Sequence, residues 1–417
     1  MYSAEVIERK IFALLRRGIT IQRRSVDEVE GITRRLQEKY DKSQGQAPLT
    51  ARESEFIKNE QRLCRIDFRY WALRYGCIEL DTSVSAQGGT ALIPEFWPSQ
   101  ERALSQIATR EEQAYRELQQ HGFTDGIMAV WHKTRQQFAT ATMRLITGHR
   151  MTLIRGTRAI AASLDDTKIG EIYKRDHIWL DNLPWFLKPA LEFDVKNGSM
   201  QFEARPKSTI TYQQANQEAG VGTGGQFDMS HMTEVALWPD PWRLQFDFLP
   251  SVPKSINTFL GWESTANGRG QYNFWHQFTE SVRKREEGFE RWIYIFTPHY
   301  INANKNRLPA PDGWEPEDFV KEHAELIERT SPEFCGGVTV HPTRDQLFWW
   351  SSEYKLAKKM GTLNVFLTNY PATPEQSFQH SAMAALPLET VEWMRSTSLM
   401  GMPYHLETNA KVIGADV

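Results

Sequence analysis

The sequence has few cysteines, no long apolar run and no excess of charge of either sign. Its three cysteines, Cys64, Cys77 and Cys335, show no paired spacing, which excludes a cysteine zinc site or a disulfide framework and favours a reducing cytosol. No apolar run reaches the about 18 residues of a transmembrane helix, so no membrane span is expected. The 49 basic and 52 acidic residues exclude a generally basic nucleic-acid-binding surface, although not a local basic channel.

The standard phosphate-binding motif, Gly-x-x-x-x-Gly-Lys-Ser/Thr, is also absent. The sequence nevertheless has the strand–loop–helix context in which such a motif occurs. The apolar run Ile127–Trp131 predicts a strand, the residues up to Thr140 predict a loop, and a helix is predicted to follow through Met143, Leu145 and Ile146. The unpaired N–H groups at the start of such a helix favour phosphate. The alternative interpretation of this segment is a basic surface turn.

The loop between this strand and this helix has suitable side chains at unusual positions. Lys133 and Arg135 supply cations, and Thr140 offers a hydroxyl for Mg²⁺. Phe138 and Ala139 stand where the second glycine and the lysine of the standard motif would fall. Glycine is favoured there because the backbone approaches phosphate in conformations that a side chain resists.

A second strand is predicted within the stretch Gln226–Trp238, and it places Glu234 at its end. In P-loop ATPases a carboxylate at this place orients the water that attacks the metal-bound phosphates. Thr233 stands where many such enzymes have a metal-bridging Asp. Glu234 could equally be an ordinary strand-end carboxylate, and His231 is expected to be a satisfied core histidine rather than a ligand.

The overall pattern predicts an α/β protein with a mostly parallel sheet flanked by helices. Residues 1–60 are expected to form a helical arm, 61–385 a P-loop domain of the RecA/ASCE type with a small loop-rich C-terminal lid, and 386–417 a linker and the start of a further domain. Capping boxes are predicted at Ser25-x-x-Glu28 and Thr50-x-x-Glu53. The other predicted strands are Met151–Ile154, Ala159–Ala162, Phe259–Trp262 and Trp292–Phe296, with a hairpin of Met200–Ala204 and Thr209–Gln213.

Five segments, in this order, resemble the ATPase part of the large terminase subunit of tailed bacteriophages. They are Trp97-Pro-Ser-Gln100, Lys133-x-Arg-Gln136 with Thr140, His231-Met-Thr-Glu-Val-Ala236, Glu263-Ser-Thr-Ala-Asn-Gly268 and Tyr370–Phe378. The first is similar to a Gln motif that reads adenine, the second to a phosphate loop with an early cation, and the fourth to a coupling motif. The resemblance covers roughly residues 55–385.

The resemblance implies an ATPase that uses ATP and Mg²⁺, with a role for each site residue. Arg135, or alternatively Lys133, would neutralise phosphate charge, and Gln136 belongs to the same loop. Glu234 would orient water, and Thr265 and Asn267 would sense the γ-phosphate. Thr140 would hold Mg²⁺, with Thr233 acting through water, and Gln100 would bind the base.

The same resemblance implies a motor that moves double-stranded DNA into a procapsid. Its expected partners are a small terminase subunit and a portal protein, in a ring of five subunits in the host cytoplasm. The ending Val412–Val417 resembles the first strand of a nuclease domain, with Asp416 at the position of its first carboxylate. Because one strand cannot form a nuclease, no DNA cleavage is expected from this chain. The alternatives are another helicase-like ATPase and an assembly protein with a degenerate nucleotide site.

Overall fold

The computed structural model describes residues 2–80, 89–93, 95–196, 198–203, 206–215, 220–269 and 273–378. The predicted segment 386–417, with Asp416, lies outside the described residues. The helices are α1 (Ala4–Leu15), α2 (Val26–Ser43), α3 (Ala51–Ile66), α4 (Phe68–Tyr75), α5 (Pro98–His121), α6 (Ala139–Leu153), α7 (Asp166–Asp181), α8 (Phe274–Lys284), α9 (Asp318–Phe334), α10 (Arg344–Lys359), α11 (Leu363–Asn369) and α12 (Pro374–Ser377). The strands are β1 (Cys77–Leu80), β2 (Gly89–Leu92), β3 (Ile127–Lys133), β4 (Arg158–Ser163), β5 (Leu191–Val195), β6 (Ser199–Phe202), β7 (Thr209–Gln214), β8 (Met229–Thr233), β9 (Phe259–Ser264) and β10 (Trp292–Thr297).

A sheet in the strand order β10-β3-β9-β8-β4-β7-β6-β5 forms the centre of the molecule. The strand pairs from β10 through β7 are parallel. Strand β6 pairs antiparallel with both β7 and β5, and β5 forms that edge of the sheet. Strand β9 lies between β3 and β8, so the two strands of the predicted site are not direct neighbours. This confirms the predicted α/β class with a mostly parallel sheet.

The two faces of the sheet belong to two separate hydrophobic clusters. Alternate residues of β3 point to opposite faces, so Ala129 and Trp131 join one cluster and Met128 and Val130 join the other. The first face is covered by α6 together with α3, α4, α5 and α7, and the second by α8 and the segment Leu244–Phe248. Helix α6 is buried on nearly all sides, because it lies between the sheet and the N-terminal helices.

The predicted N-terminal arm shares its hydrophobic core with the sheet. Tyr2, Val29 and Phe56 belong to the same cluster as Ile127 and Ala129 of β3. The capping box of Thr50 and Glu53 is present in both directions at the start of α3. At the start of α2 only the Ser25 side chain accepts its hydrogen bond, from Glu28 N.

Two further predictions from the sequence differ from the structure. The predicted strand Met151–Ile154 is wrong, because α6 continues to Leu153 and its apolar run comes from a helix that is buried all round. The C-terminal region, expected to be loop-rich, also contains helices α9 to α12. Pro374 is compatible with α12, because it occupies the first turn, where its missing N–H has no intrahelical partner to lose. Pro332 lies inside α9, close to the end of that helix. Within the described residues, no helix is long and apolar enough to cross a membrane.

Candidate functional site

Four of the predicted site residues, Lys133, Thr140, Thr233 and Glu234, lie at the carboxyl ends of three neighbouring parallel strands. Lys133 is the last residue of β3, Thr233 is the last residue of β8, and Glu263 is next to last in β9. Thr140 is the second residue of α6, which starts over the same edge. Carboxyl ends of parallel strands share one edge of a sheet, which is where open α/β sheets bind ligands.

Lys133 lies between two carboxylates at this edge. Its Nζ is 2.9 Å from Glu263 Oε2 and 3.3 Å from Glu234 Oε1. The Thr140 hydroxyl donates to Glu263 Oε1 at 2.6 Å, and Lys133 Nζ donates to Thr140 Oγ1 at 3.3 Å. The side chain of Glu263 is fully buried, whereas that of Glu234 is 30% exposed. The edge therefore holds one ammonium, one hydroxyl and two acids in direct contact.

The charges of this cluster stabilise one another against burial. Burial alone would lower the pKa of Lys133, but Glu263 and Glu234 outweigh it and raise that pKa. Burial alone would raise the pKa of Glu263, but the Lys133 ammonium and the hydrogen bonds from His231 and Thr140 hold that pKa well below its usual range. Both groups are thus charged at neutral pH, and loss of Lys133 would leave the buried carboxylate of Glu263 without its ion-pair partner.

A chain of buried hydrogen bonds leads from Glu263 into the core. His231 Nε2 lies 3.0 Å from Glu263 Oε1, and His231 Nδ1 lies 3.1 Å from Arg144 Nη1. Arg144 forms a bidentate pair with Asp176, which also accepts from the Tyr212 hydroxyl at 2.7 Å. Burial lowers the pKa of His231, which is therefore neutral at pH 7. His231 is a satisfied core histidine, as the sequence predicts, and it supports the site from behind.

The predicted phosphate loop adopts glycine-like backbone conformations without glycine. Gln136 and Phe138 have φ angles of 60° and 59°, in the left-handed region, and Glu234 has a φ of 56°. Such conformations cost non-glycine residues about 1 to 3 kcal/mol and concentrate at functional sites. The Phe138 ring packs against Trp97 at a centroid distance of 4.8 Å. Its contacts therefore lie towards the start of α5 and not among the charged groups at the strand ends.

Arg135, Gln136 and Gln100 lie outside the charged cluster. Arg135 is exposed, and its Nε donates to Asn369 Oδ1 of α11 at 2.9 Å. Gln136 is exposed as well. Gln100 is buried, with its Oε1 accepting from Trp97 N and its Nε2 donating to the Thr142 hydroxyl at 2.9 Å. The cation that contacts Glu234 is thus Lys133, the alternative to Arg135 that the sequence leaves open.

The last residue of β9 and the segment that follows it form hydrogen bonds with the turn that contains Glu234. The Ser264 hydroxyl accepts from Ala236 N at 3.2 Å, and Asn267 Nδ2 donates to Ala236 O at 3.0 Å. Thr265 is buried between these two residues in the chain. Movement of the segment Ser264–Asn267 would therefore be transmitted to the Glu234 backbone.

Glu263 begins the segment that resembles a coupling motif, but the sequence predicts no separate role for it, although it contacts both Lys133 and Thr140. It follows an apolar strand in the same way as Glu234, and that pattern alone could have identified it. Arg144 and Asp176 gave no comparable signal, because they lie within helices α6 and α7 and meet only through the tertiary fold. Among the described residues, no three His, Cys, Asp or Glu side chains converge in a way that could hold a metal ion.

No family model matches the chain, and no match was found among curated proteins. Similar solved structures include the large terminase of bacteriophage HK97, with a TM-score of 0.46 and 10% identity over 75% of this chain and 55% of that one. Others are the large terminase ATPase domain of Thermus phage P74-26 (TM-score 0.34, 11% identity, 59% of this chain and 100% of that one) and the large terminase of a further, thermophilic bacteriophage (TM-score 0.31, 10% identity, 52% and 49%). The chain thus spans about half the length of the HK97 protein, and these structures are of the class that the sequence motifs resemble.

Proposed function

We propose that this chain is an ATP-hydrolysing motor subunit that moves double-stranded DNA into a viral procapsid. The observation that carries the ATPase part is the convergence of Lys133, Thr140 and Glu234. P-loop ATPases use three such groups: a cation, a hydroxyl at the start of a helix, and a carboxylate at the end of a nearby strand of the sheet. Here that strand is β8, which is separated from β3 by β9. Lys133 contacts Thr140 within the same strand–loop–helix unit, and it contacts Glu234 from an element about a hundred residues further along the chain.

The residues present fit a nucleotide with its Mg²⁺. Glu263 Oε2 is buried and has no hydrogen bond of good geometry among the described residues, so this oxygen keeps the capacity to bind a further donor or cation. Thr140 would hold the metal, with Thr233 acting through water, and the free N–H groups at the start of α6 would face the phosphates. When bound, Mg²⁺ would neutralise charge on the β- and γ-phosphates.

The residues of the chain would then divide the work as follows. Lys133 would turn from the carboxylates to the phosphates and neutralise their charge, with Arg135 as a second cation. Glu234, released from Lys133, would orient the attacking water. Thr265 and Asn267 would respond to loss of the γ-phosphate, and Asn267 would transmit this to the Glu234 turn through Ala236. Gln100 would bind the adenine base only after its present hydrogen bonds are exchanged.

The DNA-packaging part of the proposal rests on the sequence motifs that resemble large terminases. These motifs imply double-stranded DNA, a small terminase subunit and a portal protein as partners. They also imply a ring of five subunits that assembles in the host cytoplasm and docks on the procapsid. In such rings a neighbouring subunit supplies an arginine that raises the rate by about 10³ to 10⁵. The isolated chain is therefore expected to be a slow ATPase.

The test of the ATPase assignment is the variant Glu234→Gln. We expect hydrolysis to fall by about 100-fold or more, because the water loses its orienting base, while the dissociation constant for ATP with Mg²⁺ changes little. Hydrolysis is measured by phosphate release at high protein concentration, and binding by calorimetry.

Glu325→Gln is the matched control, since Glu325 is an exposed acid on α9 away from the site. It should leave both quantities unchanged. Normal hydrolysis by Glu234→Gln would show that Glu234 is not the catalytic acid. Absence of ATP binding by the wild-type protein up to millimolar concentration would favour an assembly protein with a degenerate site.

A further inference from the structure

The strand β8 lacks an acid at the position where P-loop enzymes hold their metal. In those enzymes the metal is held by the Ser or Thr of the phosphate loop together with an Asp of that strand. Here the position is occupied by Thr233, which pairs in register with Glu263 of the neighbouring parallel strand β9. Residues paired in this way point to the same face of a sheet. A carboxylate therefore lies one strand away, at the same level and on the same face.

Glu263 makes the contact with the phosphate-loop hydroxyl that the missing acid would make. Thr140 Oγ1 donates to Glu263 Oε1 at 2.6 Å, and the residue is 0% exposed. Its other oxygen, Oε2, lies 2.9 Å from the Lys133 ammonium but accepts no well-directed hydrogen bond from the described part of the chain. Glu263 thus presents a buried, incompletely satisfied oxygen at a place where a cation already lies.

Hydrogen bonds from buried residues of the core, His231 and through it Arg144, fix the orientation of the Glu263 side chain. Arg144 has only donors, so its contact with His231 Nδ1 requires that nitrogen to accept. The proton of the neutral ring then lies on Nε2 and is donated to Glu263 Oε1. Asp176 in turn holds Arg144. Chains of this kind, which orient a ligand through its outer partners, accompany metal sites.

We propose that Glu263, together with Thr140, holds the divalent cation of the bound nucleotide and replaces the acid that β8 lacks. This inference rests on the proposed nucleotide binding and adds to it a residue on a different strand. His231 and Arg144 are positioning residues, since they act through Glu263. The arrangement explains how a threonine can occupy position 233 without loss of the negative charge that a metal ion requires.

The experiment measures how strongly Mg²⁺ tightens the binding of a non-hydrolysable ATP analogue. The ratio of its dissociation constants in EDTA and in Mg²⁺ is determined by calorimetry for the wild-type protein and for Glu263→Gln. We expect the ratio to fall by about tenfold or more in the variant, because loss even of an outer partner of a metal ligand lowers metal affinity by about 10- to 100-fold. The double variant Thr233→Asp with Glu263→Gln should recover part of the ratio, since it returns an acid to β8. Electron paramagnetic resonance of Mn²⁺ bound with the analogue gives a second readout that is independent of turnover.

Each outcome has a separate meaning. An unchanged ratio in a folded Glu263→Gln variant overturns the inference while the proposed nucleotide binding stands. A wild-type protein that binds no analogue, with or without Mg²⁺, overturns the proposed function and the inference with it. If Glu263→Gln does not fold, Glu263→Asp retains the charge with a shorter reach, and the ratio must then fall in that variant. If the ratio falls in Glu263→Gln and does not recover in the double variant, Glu263 does hold the metal ion. That result would contradict the idea that it replaces an acid on β8.

Discussion

The two halves of the candidate site differ in how their side chains are held. At the strand ends, Lys133, Glu263 and Thr140 contact one another; Lys133 and Glu263 are buried and Thr140 is half-buried. In the loop before α6, Arg135 and Gln136 are exposed, and Phe138 packs towards α5. The groups suited to nucleotide chemistry are thus concentrated in the buried half. The aromatic side chain of this loop packs against Trp97 and not against the charged groups at the strand ends, so the departure from the standard motif does not place a ring among those charges.

The same difference separates the energies expected for the two halves. Removing one member of a buried ion pair costs about 3 to 5 kcal/mol, because the remaining charge has no partner. Contacts of exposed side chains contribute about 1 kcal/mol or less. Substitutions of the buried pair Lys133 and Glu263 should therefore affect stability and binding strongly. Substitutions in the loop should have small effects that can be told apart by their sign.

Lys133→Met should have the largest effect, because it leaves Glu263 buried and without its ammonium. We expect the free energy of unfolding to fall by about 3 to 5 kcal/mol at neutral pH. The control Lys168→Met removes a lysine whose ion pair with Glu171 is about half exposed, and it should change stability by less than about 0.5 kcal/mol. Urea denaturation followed by tryptophan fluorescence measures both.

The pH dependence of this difference tests its cause. In the wild-type protein the pKa of Glu263 is depressed, so its contribution is present above the unfolded pKa of about 4.3 and is lost as the pH falls below that value. In Lys133→Met, burial should raise that pKa, so lowering the pH from about 7 to about 5 protonates the carboxylate and relieves the penalty. The two proteins should thus approach each other in stability at acid pH. A constant difference would show that the lost lysine acts through packing alone.

The strands and the buried half of the site could be predicted to a large extent from the sequence. The runs at 127, 159, 259 and 292 predict strands because each is apolar and bounded by turn residues, and each is a strand in the structure. Met151–Ile154 could not be distinguished in this way, because a helix buried on all sides gives the same apolar run. The placement of Lys133 before Thr140 predicts their proximity, since strand, loop and helix are consecutive.

The remaining features depend on tertiary packing. The order of the strands places β9 between β3 and β8, and no local pattern reveals this order. It is this order that brings Glu263 beside Thr233 and Lys133. The direction of the Arg135 side chain depends on α11, which follows more than 200 residues later in the chain. The spacing of Arg135 in the sequence therefore could not show whether its side chain contacts the site or α11.

Arg135→Ala tests whether the exposed half takes part in binding. If Arg135 turns from Asn369 to the phosphates, the variant should weaken ATP affinity by about tenfold, which corresponds to about 1.4 kcal/mol. Asn369→Ala removes the competing contact and leaves Arg135 free, so it should leave the affinity unchanged or slightly tighter. Calorimetry with Mg²⁺ and a non-hydrolysable analogue measures both. Equal weakening by the two variants would mean that Arg135 acts only by attaching the loop to α11.

Phe138 should give the smallest effect, and the sign of that effect carries the information. Phe138→Ala and Phe138→Gly both remove the ring from Trp97, so the difference between them reports the backbone alone. At ordinary positions glycine is less stable than alanine by about 0.5 to 1 kcal/mol. At a φ of 59° the order should reverse, because alanine retains a Cβ that resists the left-handed conformation by about 1 to 2 kcal/mol. Thermal unfolding of the two variants decides the matter: a glycine variant that melts below the alanine variant would show that the loop is not held in this conformation in solution.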